Sequence, residues 1–304
     1  MLVKKVILDT DLGGDCDDAT AIAILNTFKN HRFVEIPCML YSNNNELGAR
    51  LVGVINSYYG NDIPIGLLKK ETLKLEYSRD FLTPTIELFA KEASKVVLYD
   101  ANELLYEKLI AAGDDEITIV CIGQLRNISV FLRSEFNGHN GTDIFNQKVK
   151  ELVIMGGNFA QDSKYFVYEG MKFYAEYNLA TDPESIHIIL KNVKKNIIFC
   201  DFNMGVDVLT FGQYSINCDK TNPVAVSYKL FQNGPRDSWD PVTVICAVLG
   251  ENEYFGFKRG VVTTEKHGRT HFKKQTNGNH FVGYLKQSKK KVATYVESFL
   301  KEEL

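Results

Sequence analysis

Residues 9–18 read Asp9-Thr10-Asp11-Leu12-Gly13-Gly14-Asp15-Cys16-Asp17-Asp18, and the segments on either side of them decide the fold. Before them, residues 4–8 form a short apolar run of strand length. After them, Ala19, Ile22, Ala23 and Leu25 recur at helical spacing across residues 19–28. A strand, a loop rich in Gly and Asp, and a helix make the opening unit of an alternating α/β chain. The same alternation continues outward. Strands are expected at 34–40, 62–65, 117–122, 151–155 and 196–200. Helices are expected at 19–28, 47–59, 125–132, 185–190, 241–249 and 292–304, with residues 81–106 largely helical. Strands that alternate with helices imply a mostly parallel open sheet with helices on both faces. With no internal repeat, low-complexity tract or linker, residues 1–304 are expected to form one domain.

Composition narrows the class. The 304 residues are 45% hydrophobic and 24% charged, which is the globular norm and argues against a disordered or collagen-like chain. No apolar run reaches the roughly 18 residues of a membrane helix. A net charge of −3 gives no basic footprint for nucleic acid. The six cysteines (Cys16, Cys38, Cys121, Cys200, Cys218, Cys246) form no CxxC pair, and several sit in apolar segments as buried free thiols do. The chain enters its first strand without a signal-peptide core, so a cytoplasmic location is expected, although a removed leader would leave no trace here.

The chemistry should lie where parallel strands end and loops lead into helices. Residues 9–18 carry five carboxylates in ten positions. Packed together they repel one another, and their pKa values rise unless a cation neutralises them. A helix N-terminus favours Asp17 and Asp18 through its dipole, which leaves Asp9, Asp11 and Asp15 unexplained. Oxygen donors suit a hard ion such as Ca²⁺ or Mg²⁺, and the spacing is not that of an EF-hand loop. A Mg²⁺ phosphatase of the haloacid-dehalogenase type also opens on Asp-x-Asp after a first strand, but Gly13 stands where that family has Thr or Val.

Taken with downstream segments, the loop resembles that of the nucleoside hydrolase family, whose opening signature is Asp-x-Asp-x-Gly-x-Asp-Asp. This chain has Asp9, Asp11 and Gly13, then Asp17-Asp18-Ala19, with two extra residues between. Gly123-Gln124-Leu125-Arg126-Asn127, Met155-Gly156-Gly157, Ala175-Glu176-Tyr177-Asn178 with Asp182-Pro183, and Asp240-Pro241 follow in the family's order. The matches span residues 4–250, and the last fifty residues add little.

The resemblance implies a Ca²⁺-dependent N-ribohydrolase of nucleoside salvage that cleaves ribosides to base and ribose. It implies Ca²⁺ ligands at Asp11, Asp18, Asp240 and the main-chain carbonyl of Ile122, with Asp11 also deprotonating the attacking water. It assigns Asp17, Glu176 and Asn178 to the ribose hydroxyls, Met155 to the ribose wall and Asn43 to ribose or base. Relatives tend to be homodimers or homotetramers.

Three departures stand out. The two-residue insertion lets either Asp15-Cys16 or Asp17-Asp18 fill the paired position, and the helix start with its carboxylates selects the second. Trp239 replaces the family's pocket His, so it can stack on a base but supplies no acid. The family's His-Gly loop is not found before residue 117, and Glu169-Gly170-Met171-Lys172 stands where the family has an Asn. A homologue that binds nucleoside or ribose and has lost the leaving-group chemistry is the non-enzymatic alternative.

Overall fold

The computed structural model describes residues 3–73, 79–160 and 163–301. Among these residues the main sheet has eleven strands. Eight run parallel in the order Leu98–Asp100, Ile65–Leu67, Met39–Tyr41, Lys4–Thr10, Ile117–Cys121, Val149–Met155, Asn196–Cys200, His280–Leu285. The long strand Phe255–Thr264 joins antiparallel at His280–Leu285, and Thr270–Lys274 closes that edge as its hairpin partner. Val34–Glu35 adds a short parallel pairing to the first strand.

The first strand sits near the middle of the sheet and is buried on both faces. Val6 and Leu8 join one apolar cluster, with Ile22, Leu51 and Val242 from the helices Asp17–Asn30, Glu46–Tyr58 and Trp239–Leu249. Ile7 joins the cluster on the opposite face, with Leu105, Ile128 and Ile186 from Ala101–Ile110, Arg126–Arg133 and Pro183–Asn192. Period-two alternation therefore feeds two helical layers, and continuous apolar runs mark the doubly covered strands. Cys16, Cys38, Cys121, Cys200 and Cys246 are buried free thiols and Cys218 is half-buried. Among the described residues, no helix is long and apolar enough to cross a membrane.

Some expected elements shift. The strand expected at 34–40 is two pieces, because Pro37 has no N–H to give a ladder. The run 81–106 contains the edge strand Leu98–Asp100, and Asp100 then caps the next helix by accepting N–H bonds from Asn102 and Glu103. The helix expected at 241–249 begins two residues earlier, at Trp239, so Asp240 lies inside its first turn. The C-terminal helix covers Lys289–Ser298; the expected continuation over 302–304 lies outside the described residues. The antiparallel strands at 255–274 were not foreseen: exposed charged residues interrupt their apolar pattern.

Candidate active site

The carboxyl ends of the central strands open into a cavity of about 430 Å³, within the range of small-molecule sites. Its acidic end is built by the loop after the first strand. Asp17 and Asp18 occupy the first turn of Asp17–Asn30, and Asp240 reaches them from the first turn of Trp239–Leu249. One carboxylate oxygen from each of the three lies within 4.8 Å of the others. The main-chain N–H of Asp240 donates to Asp17 Oδ2 at 3.1 Å, and the Thr10 hydroxyl donates to Asp18. Burial, followed by repulsion from neighbouring carboxylates, pushes all three well above the usual Asp range. Among the described residues no Lys, Arg or His pairs with them. Three buried, mutually repelling carboxylates offer hard oxygen donors, and a divalent cation fits that set.

Asp11 lines the same cavity beside this trio. Gln124 Nε2 donates to its Oδ2 at 2.9 Å, while burial raises its pKa to about 6. The strand-to-helix turn comes so close that a Cβ on Gly123 would stand 2.6 Å from Asp11 Oδ1 and 2.7 Å from its Cγ. Only a residue without a side chain leaves Asp11 where it is. Asp9, two residues earlier in the strand, is fully buried and accepts from Asn127 Nδ2 at 2.8 Å; burial lifts it to about 8.

The opposite wall comes from Tyr177–Thr181 and the strand end at Met155. Glu176 caps this short helix, its Oε1 accepting from the N–H of Asn178 at 2.8 Å and its Oε2 from the N–H of Gly157 at 3.1 Å. Its burial nevertheless raises it to about 7. Asn178 Nδ2 stands 3.3 Å from the carbonyls of both Ile122 and Met155, tying two strand ends together.

The outer end is aromatic. A hairpin, Phe166–Tyr168 with Met171–Phe173, lies over it, and Phe202, Phe231 and Trp239 line it. Trp239 stacks on Phe202 at 5.6 Å, meets Tyr168 edge-on at 5.5 Å and gives its indole N–H to the Phe202 carbonyl. It is only 9% exposed, so little of the ring remains for a ligand. Arg236 joins the two ends. Its guanidinium grips Asp15 through Nε and Nη2, donates to Glu169 of the hairpin at 2.7 Å and lies 5.3 Å from the Trp239 ring centroid.

Residues 6–302 match the family described as inosine-uridine preferring nucleoside hydrolase. The chain belongs to that family. Nucleoside hydrolases act on N-glycosyl bonds, so the chain is a hydrolase of that class and not a haloacid-dehalogenase phosphatase. The chain is 25% identical to the rice (Oryza sativa subsp. japonica) protein named "Probable uridine nucleosidase 2", over 92% of this chain and 86% of that one. The fold matches that of an inosine-guanosine nucleoside hydrolase with a TM-score of 0.74, at 20% identity over 100% of both chains. It also matches that of the type III effector protein XopQ in complex with adenosine diphosphate ribose, with a TM-score of 0.65 at 13% identity, covering 100% of this chain and 94% of that one.

Of the residues expected at a nucleoside hydrolase site, Asp11, Asp17, Asp18, Ile122, Met155, Glu176, Asn178, Trp239 and Asp240 all line the one cavity. Asn43 does not: it is buried in the turn after Met39–Tyr41, outside the lining. The tight carboxylate trio contains Asp17, whereas the expected ligand set had Asp11 in that place. The insertion is accommodated by turning Asp15 away to Arg236, with Cys16 buried at the N-cap of the helix. Asp182 stands at the N-cap of Pro183–Asn192, and its carboxylate also holds Arg126, whose Nε and Nη2 reach it at 3.2 and 2.5 Å. Gln124 and Arg236 were not foreseen as site residues. Gln124 stood within a quoted turn, but nothing in sequence links Arg236 to a loop 221 residues away.

Proposed function

We propose that the chain is a Ca²⁺-dependent ribonucleoside hydrolase, with residues 1–304 acting as one domain. The observation that supports this best is the buried carboxylate trio of Asp17, Asp18 and Asp240 beside Asp11, without a basic partner among the described residues. Asp11, Asp18, Asp240 and the Ile122 carbonyl would hold the ion, and the remaining positions of a shell of about 6–8 oxygens are left to water and ribose hydroxyls. When bound, such an ion acidifies a water and fixes it beneath the anomeric carbon.

The chain's own residues do the rest. Asp11, oriented by Gln124, accepts the proton of the attacking water. Asp17 keeps one oxygen on the N–H of Asp240, and its other oxygen is directed to the ribose diol together with Asn178. Glu176 and the other carboxylates place negative potential around the oxocarbenium-like centre that forms as the C1′–N bond breaks. Hydrogen bonds to both ribose hydroxyls make a 2′-deoxy substrate poorer, because the buried polar groups then go unpaired.

A release assay tests the reading. Protein with Ca²⁺ is given uridine, inosine, cytidine, p-nitrophenyl riboside and p-nitrophenyl phosphate, with and without EDTA. Ribose release that EDTA abolishes is the expected result. Silence on every riboside, with Ca²⁺ still raising the melting temperature, would overturn the hydrolase and leave a nucleoside-binding homologue.

A further inference from the structure

We infer that Arg236 is the leaving-group residue of this site, a hydrogen-bond donor that stabilises the departing base as an anion. The inference rests on the hydrolase reading above.

Breaking a neutral N-glycosidic bond leaves the electron pair on the base nitrogen, so something at the base end must receive that charge. Among the described residues no histidine lines the cavity. Its other polar hydrogens are already committed or peripheral. The Trp239 N–H is spent on the Phe202 carbonyl, and the Tyr168 hydroxyl donates to Asp237 at 2.7 Å. The Asn178 amide is held at the ribose end by two carbonyls. Tyr177 is 41% exposed, and Arg79 is exposed with its Nη1 on the Phe231 carbonyl.

Arg236 differs. It is 8% exposed, lines the cavity and is the neighbour of Trp239, Phe231 and Tyr168, where a flat base would lie. A guanidinium has five N–H donors. Nε and one hydrogen of Nη2 go to Asp15, and one hydrogen of Nη1 goes to Glu169. One N–H on each terminal nitrogen makes no hydrogen bond among the described residues, with Asp237 Oδ2 3.9 Å from Nη1 as a longer ionic neighbour. The two carboxylates fix the guanidinium plane and offset its burial, so its spare donors are in place before any charge develops.

The step balances without an acid. The C1′–N bond breaks with both electrons going to the base nitrogen. Water oxygen bonds to C1′ and its proton passes to Asp11, which returns it to solvent. The base leaves as an anion hydrogen-bonded to Arg236 and is protonated by solvent. No proton leaves the guanidinium, which stays charged throughout.

The test compares leaving groups. Uridine and inosine need help to depart, whereas p-nitrophenolate does not. For Arg236→Gln the expected result is a kcat on uridine and inosine lower by roughly 10²–10³-fold, the usual cost of removing one such donor. On p-nitrophenyl riboside the same variant should lose far less, under about tenfold, because that leaving group needs no such donor. Arg236→Lys keeps a donor and should recover part of the loss on the natural nucleosides alone. It also carries the comparison should Arg236→Gln not fold. Parallel losses on all three substrates would overturn the proposal and reduce Arg236 to a strut between loop and hairpin. So would a wild-type protein that cleaves p-nitrophenyl riboside but neither nucleoside, with the hydrolase reading intact. Failure of the wild type on all three would instead sink that underlying reading.

Discussion

At the scale of single residues, Asp11 and Asp9 show how burial assigns different work to neighbouring carboxylates. Asp11 faces the cavity, accepts from Gln124 and, before any ion binds, has its pKa lifted by burial to about 6; it stands where the attacking water would be held. Asp11→Asn should therefore lower kcat by about 10²–10⁴-fold, the usual loss for a general base. Its circular dichroism spectrum should be unchanged and its melting temperature not lower, since one member of a repelling group has been neutralised. Asp9 is different. Its Oδ2 and the Oδ1 of Asn127 are both buried without a hydrogen-bond partner among the described residues, while Asn127 Nδ2 donates to Asp9 Oδ1. Burial raises the pKa of Asp9 to about 8, which keeps it protonated at neutrality. Because this folded-state value lies above the unfolded one, the folded protein binds the extra proton. Its contribution is complete below pH about 4 and is lost as pH rises through about 8. Asp9→Asn cannot ionise, so its melting temperature should fall less steeply between pH 7 and about 9 than that of the wild type, in scans at fixed ionic strength.

At the scale of elements, the turn after Ile117–Cys121 positions the acidic end through one missing side chain. A Cβ on Gly123 would overlap Asp11 and cannot be absorbed by the far end of a flexible chain, since the nearest atoms include Asp11 Cβ and Cγ. Gly123→Ala is expected to push Asp11 off its hydrogen bond with Gln124. Activity should fall by roughly 10²-fold, as a displacement of about 1 Å can cost. The stability loss should be the few kcal/mol typical of overpacking, about 1–3. Steady-state kinetics and thermal denaturation on the same variant check both parts. The hairpin of Phe166–Tyr168 and Met171–Phe173 is the other element that shapes the site. It has only two short strands and exposed backbone, and such ribbons are marginal alone. Arg236 to Glu169 and Tyr168 to Asp237 anchor it over the aromatic end. Glu169→Gln weakens one anchor and loosens Arg236, so KM should rise several-fold and kcat on uridine should fall by less than for Arg236→Gln.

At the scale of the whole molecule, metal binding and folding are linked. A cation that binds only the folded protein stabilises it by about 2.7 kcal/mol at a hundred times its Kd. Adding Ca²⁺ to EDTA-treated protein should raise the melting temperature. The gain should grow as pH rises through about 6, because the ion competes with protons for Asp11, Asp18 and Asp240. An equal gain for Asp18→Asn would place the ion elsewhere.

How much of this was legible depended on whether the physics was local. Period-two and period-3.6 patterns, strand length and helix starts depend on near neighbours, so the amino-acid sequence alone determined an alternating α/β chain. It also determined a parallel sheet and a carboxylate-rich loop at the end of the first strand. The order of motifs then placed nine of the expected residues in one cavity. Only the tertiary structure decided the rest. Asp17 enters the close trio because two helix N-termini converge. Asn43 stays in a buried turn outside the cavity. Asp15, which the helix start left out of the paired position, is claimed by Arg236. Trp239 spends its indole on Phe202. Each of these depends on contacts between segments far apart in the chain, whose distances and angles are set by packing the sheet and its layers, and no local spacing encodes them.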